Sequence, residues 1–170
     1  VGEYWALVLL DHPSGVVKNG ADEAPVADLV RLLQATRPEI VYTHNLADKH
    51  PTHIGVALKV IAAIRSLSRE ERPKRLYGCE VWRDLDWLVD EDKIGFDTSK
   101  HASLQTALVG VFDSQIAGGK RYDLATMGRR TANATYFQSH QVDSSQGVAY
   151  GLDLTPLMMD TEMDPAEFTQ

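Results

Sequence analysis

Short, nearly unbroken apolar runs alternate along the first half of this chain with longer stretches whose apolar residues recur at helical spacing. Residues 5–10 (Trp-Ala-Leu-Val-Leu-Leu), residues 39–43 around Ile40, Val41 and Tyr42, and residues 76–82 are runs of strand length. None alternates cleanly between apolar and polar, which suits strands covered on both faces, as in a parallel sheet. Between the first two runs, Val26, Leu29, Val30 and Leu33 trace one helix face. Pro25 opens that helix, with Asp22 and Glu23 placed favourably for its dipole, and Arg37-Pro38 ends it. Pro51 opens a second helix, expected to reach about Ser68. It carries two apolar rows, Ile54, Leu58 and Ile61 with Ala57 and Ile64, and Val56, Val60, Ala63 and Leu67, so it should be largely buried.

Further on, Thr98 or Ser99 should cap a helix with the stripe Leu104, Ala107, Leu108, Val111 and Phe112, ending near Gly118-Gly119. Residues 122–140 read as one more amphipathic helix, with Leu124, Met127 and Thr131 on one side and Arg129 and Arg130 in solvent. Strand, helix, strand, helix, strand is the order of α/β units with a parallel sheet. Ligands of such sheets bind outside the carboxyl ends of the strands. Residues 11–15, 44–53 and the segment after Val81 should therefore share one rim.

Composition adds bounds. The 170 residues fit one domain, and 44% hydrophobic with 24% charged residues is ordinary for a globular protein. A net charge of −7 speaks against nucleic acid as a partner. Cys79 stands alone, which excludes an intrachain disulfide and suits a reducing, cytoplasmic setting. No run has the length of a membrane span, and no internal repeat or low-complexity tract is present. The first residue is Val1, not methionine, which leads us to expect polypeptide upstream.

The chemistry concentrates in residues 37–53. The strand around Val41 feeds a polar stretch with His44 and Asp48, and His50 and His53 flank Pro51. Three residues apart at a helix start, His50 and His53 can face the same side. Imidazole is a common zinc ligand, and catalytic zinc usually takes three protein ligands and a water. The plainer alternative is that both histidines cap a helix in solvent. His12, before Pro13, is expected as a rim residue, not a ligand. Residues 82–92 alternate aromatic and acidic side chains (Trp82, Asp84, Asp86, Trp87, Asp90, Asp92) and read as a solvated loop with its aromatics packed inward.

Thr43-His44-Asn45 followed by Asp48-Lys49-His50-Pro51-Thr52-His53 resembles the second signature of the PIG-L/LmbE-like N-acetylglucosaminyl deacetylases, usually Asp-x-His-Pro-Asp-His. Looser likenesses extend it from about Trp5 to Leu157. Tyr77-Gly78-Cys79-Glu80-Val81-Trp82 is similar to an aromatic-acidic element of the family, and Phe96-Asp97-Thr98 to its Asp-Ile-Thr. Ser114-Gln115-Ile116 is similar to a helix-terminal Ser-Gln, and residues 148–152 stand where the family has Tyr-Ala-Glu-x-Phe, without the glutamate. The resemblance implies an α/β, Rossmann-like, mostly parallel sheet flanked by helices, incomplete on its N-terminal side. It implies that residues 1–157 are the C-terminal part of one LmbE-like domain, followed by an acidic tail at 158–170.

In function it implies a zinc-dependent hydrolase that removes acetyl from an N-acetylglucosamine-type sugar or glycoconjugate. His53 would be the zinc ligand. His50 and Asp48 would be catalytic, His50 helping to stabilise or protonate the tetrahedral intermediate. Trp82 and His44 would lie against the substrate. Thr52 stands where the family most often has aspartate. The family's first signature, Ala-His-Pro-Asp-Asp, supplies the other zinc ligands and the general base, and no Asp-Asp pair occurs in this chain. The expected partners are therefore an N-terminal companion segment and further copies in a homo-oligomer. The alternative from another class is a non-catalytic α/β module that binds a sugar or partner and keeps vestigial histidines. A nucleotide-binding domain lacks its Gly-x-Gly-x-x-Gly or Gly-Lys-Ser/Thr loop.

Overall fold

The computed structural model describes residues 4–168. In chain order the elements are α1 (Ser14–Lys18), α2 (Ala24–Thr36), β1 (Ile40–His44), α3 (Pro51–Ser66) and β2 (Arg75–Cys79). There follow β3 (Ile94–Asp97), α4 (Ala102–Gly110), α5 (Asp113–Ala117), α6 (Tyr122–Thr135), β4 (Val148–Asp153) and α7 (Thr155–Met159). The protein is α/β, with four strands hydrogen-bonded in the order β1-β2-β4-β3. β1 and β2 run parallel, in register from Ile40 opposite Arg75 to His44 opposite Cys79. β4 is antiparallel to β2, so the sheet is mixed. The chain forms two compact units, divided in β3 and again within β4.

The larger unit holds Leu9–Ile94 and the chain from Gly151 onward. Its core is the buried face of α3 (Ala57, Val60, Ile61, Ala63, Ile64) with Leu33, Leu76, Leu85, Leu152, Leu154, Leu157 and Met158. The proline signals place its helices. Pro25 and Pro51 each stand in the first turn of their helix, and Arg37 closes α2 in the left-handed conformation at φ 44°. Lys59 is buried on α3, and its ammonium donates to the carbonyls of Asn19, Gly20 and Asp22 at 2.9, 3.2 and 2.6 Å. Burying a charge requires such compensation. Gly55 on the same helix touches α1, where a Cβ would stand 2.8 Å from the Val17 carbonyl oxygen. Arg65 ties down the acidic tail by donating to the carbonyls of Leu157, Asp160 and Met163.

The smaller unit contains the chain up to Val8 and Gly95–Tyr150. Asn133, buried on α6, donates to the Val148 carbonyl, and the Tyr150 hydroxyl donates back to the Asn133 carbonyl. Thr98 N–H donates to the Gly147 carbonyl at 2.8 Å.

Several expectations change. Residues 5–10 form no strand, and Trp5, Leu7 and Leu9 are 88%, 84% and 84% exposed. A strand exists only through a neighbour, and among the described residues this run has none. β2 stops at Cys79, where Glu80 turns its carboxylate back to accept the Leu85 N–H. α4 begins at Ala102 behind His101, itself left-handed at φ 61°, and neither Thr98 nor Ser99 caps it. Asp97 takes the Ser99 N–H instead. The next stripe breaks between α4 and α5, and α6 ends at Thr135, short of His140. On α6, Leu124 is exposed, and Arg130 is half-buried, donating to the Gln105 side chain.

Candidate functional site

The site lies in the larger unit, at the carboxyl end of β1 and the start of α3. β1 ends on Thr43 and His44. Asn45 continues its pairing, giving its backbone N–H (3.2 Å) and its side-chain amide N–H (2.9 Å) to the same Cys79 carbonyl. Gly78 permits this close approach. A Cβ there would lie 2.8 Å from Leu154 Cδ1, 2.9 Å from Asn45 Cα and 3.1 Å from the His44 oxygen. The chain then crosses to His50, which precedes Pro51 in an extended conformation and starts α3, its carbonyl accepting the N–H of His53.

These constraints bring the predicted histidines together. The His44 and His53 rings stack, with centroids 4.0 Å apart and planes 8° from parallel. The His50 ring also stacks on His53, at 4.6 Å, and Trp82 tilts against His50 at 5.9 Å. Asp48 has no exposed side-chain surface and lies beneath them. One of its oxygens accepts the His50 backbone N–H at 2.8 Å. The other accepts the Trp82 backbone N–H at 3.1 Å and lies 3.3 Å from His53 Nδ1. That last contact has the distance of an ion pair but not the angle of a hydrogen bond.

Electrostatics follow from burial. Burial by itself would raise the Asp48 carboxyl, but the His50 N–H, the His53 ring and the Trp82 N–H outweigh it and hold it below the ordinary carboxylate range. His44 is pushed below the usual imidazole range, first by burial and then by His53, against the pull of Asp48. The Cys79 thiol is raised by burial and by Glu80.

Buried polar atoms in folded proteins nearly always have partners. Six buried side-chain atoms here lack a hydrogen bond among the described residues, and five belong to this site: Thr43 Oγ1, Asn45 Oδ1 and the Nδ1 atoms of His44, His50 and His53. Their concentration at the end of one strand singles this place out as the candidate site. With Nδ1 buried in all three rings, Nε2 is the nitrogen that can meet a ligand.

The sequence-predicted residues His44, Asp48, His50, His53 and Trp82 are thus assembled in one place. His12 is not among them, since its Nε2 lies 2.9 Å from the Asp28 carboxylate on α2. Thr52 forms no side-chain hydrogen bond among the described residues. The acidic-aromatic loop after Trp82 is held by its own backbone, Lys93 donating to the Asp86 and Leu88 carbonyls and Trp87 Nε1 to that of Asp84. Thr43, Asn45 and Gly78 stand inside the motifs quoted from the sequence, but none was given a role there, because their contacts are with residues far along the chain.

A metal ion was expected here. Ring lone pairs lie in the ring plane, so near-parallel stacked imidazoles direct them side by side instead of converging on one ion. Among the described residues no group of three His, Cys, Asp or Glu side chains is arranged to hold a metal. No helix among the described residues is long and apolar enough to cross a membrane.

No protein-family model matches the sequence, and no curated protein matches it. Among solved structures, the conserved protein TT1542 from Thermus thermophilus superposes with a TM-score of 0.55 at 18% identity, over 90% of this chain and 67% of that one. At that identity the likeness is one of fold alone.

Proposed function

We propose that this chain carries part of the active site of a metal-dependent N-deacetylase of the PIG-L/LmbE type, acting on an N-acetylglucosamine-like amide. The observation that supports it most is the gathering of the stacked His44, His50 and His53 rings with the buried Asp48 carboxylate at the end of β1. In this reading the α/β sheet is Rossmann-like, and His53 gives one ligand to zinc through Nε2. The remaining ligands come from polypeptide beyond the described residues, in a companion segment or an oligomer. Bound zinc would supply Lewis acidity toward the acetyl carbonyl. The chain's own residues hold and move protons: His50 donates to the developing oxyanion or the leaving amine. Trp82 offers a flat apolar wall against a sugar ring. The stacked, non-convergent rings favour a second reading, a sugar-binding module without catalysis.

Metal content and acetate release, measured together on the full-length protein, separate these readings. The deacetylase reading expects zinc-dependent acetate release from N-acetylglucosamine derivatives. His53→Ala should lose zinc and activity together. His50→Ala should keep zinc and slow turnover by about 10²–10³. Zinc binding without acetate release from any acylated amino sugar sinks the deacetylase. Loss of zinc in His50→Ala but not in His53→Ala reverses the assigned roles.

A further inference from the structure

We infer that Asp48 is a positioning residue that selects the tautomer of His53 and pins the Trp82 segment to the same point. This rests in part on the reading of His53 as a ligand, but its geometry stands without any metal. Asp48 is fully buried and spends both oxygens on the site: one on the His50 backbone N–H, the other between the Trp82 backbone N–H and His53 Nδ1. It makes no bond to the His50 ring, so it has no direct route to a proton that His50 would transfer.

A buried carboxylate accepts and cannot donate, so at 3.3 Å, without a hydrogen bond between them, its charge favours the neutral tautomer of His53 that carries the proton on Nδ1. Nε2 then keeps its lone pair on the side away from Asp48. Carboxylates behind histidine ligands act in this manner, fixing ring orientation and raising basicity. The same oxygen reaches Trp82, thirty-four residues away in sequence. One carboxylate therefore sets the accessible nitrogen of His53 and the position of the segment that carries the indole. A carboxylate kept only for stability would need the two backbone N–H groups and not a ring nitrogen.

The test reads the imidazole nitrogens by ¹⁵N NMR in the metal-free protein, raising the pH until the ring signals no longer change. His53 should show protonated Nδ1 and bare Nε2. Asp48→Asn, which keeps the shape but halves the charge-assisted bonding, should give a mixture of tautomers and about tenfold faster exchange of the Trp82 amide. In the metal-loaded full-length protein the same variant should weaken zinc binding about 10–100-fold. Circular dichroism checks that the variant folds. If it does not, the wild-type tautomer alone decides. A proton on His53 Nε2 in the wild type overturns the inference, as does an Asp48→Asn protein with unchanged tautomer and unchanged Trp82 protection. Failure to bind zinc or release acetate, with the tautomer as expected, would overturn the deacetylase reading and leave Asp48 in its place.

Discussion

Gly78 is the residue on which the site's backbone depends most directly. Its missing side chain lets the end of β1 approach β2 and Leu154, and a methyl there would meet backbone that cannot yield cheaply. Gly78→Ala should destabilise the protein by about 1–3 kcal/mol in urea unfolding and displace the His44 ring resonances. His44 itself should titrate below the ordinary 6.5. Its folded pKa is depressed, so the unfolded chain binds the proton more readily. Stability is fully present above 6.5 and falls as pH drops from there through the folded pKa. His44→Gln should flatten that part of the pH–stability curve, and an unchanged slope would show that His44 is not its source. The histidines were legible in the sequence because His44 to His53 is one local segment, where helix and strand geometry fix much of the arrangement. Asn45 and Gly78 were not, because their roles consist of contacts with strands thirty or more residues away.

At the scale of elements, α3 organises the larger unit, and its buried lysine is the least expected part of it. Lys59 lies on a helix whose apolar rows predicted burial, yet its ammonium holds the turn between α1 and α2 through three carbonyls. Lys59→Met fills the same space without donors. It should cost about 1.5–3 kcal/mol, the range for hydrogen bonds to a charged group, and speed amide exchange in residues 17–22 more than in β1 or β2. Equal protection across the unit would show that the turn needs no such clamp. The prolines predicted the starts of α2 and α3 well, because a residue without an N–H suits a first turn in any context. The ends of α4 and α6 followed packing, which local pattern does not contain.

At the scale of the whole molecule, the exposed run at residues 5–10 is the feature that most needs a partner. Trp5, Leu7, Val8 and Leu9 all present apolar side chains to solvent, and exposed patches of this kind mark association surfaces. Light scattering should find the chain associated at micromolar concentration. Replacing Trp5, Leu7 and Leu9 together by serine should shift it toward monomer, and a wild-type monomer would remove the argument. The alternation of runs and stripes determined an α/β protein, the positions of α2, β1 and α3, and a histidine cluster at the end of β1. These follow from burial and local geometry, which periodicity records. The tertiary structure decided that β4 is antiparallel and the sheet mixed, that residues 5–10 pair with nothing described, and that Asp48 joins His53 to Trp82. An apolar run states only that it will be buried against something, and which strand or side chain meets it is settled by contacts far apart in sequence.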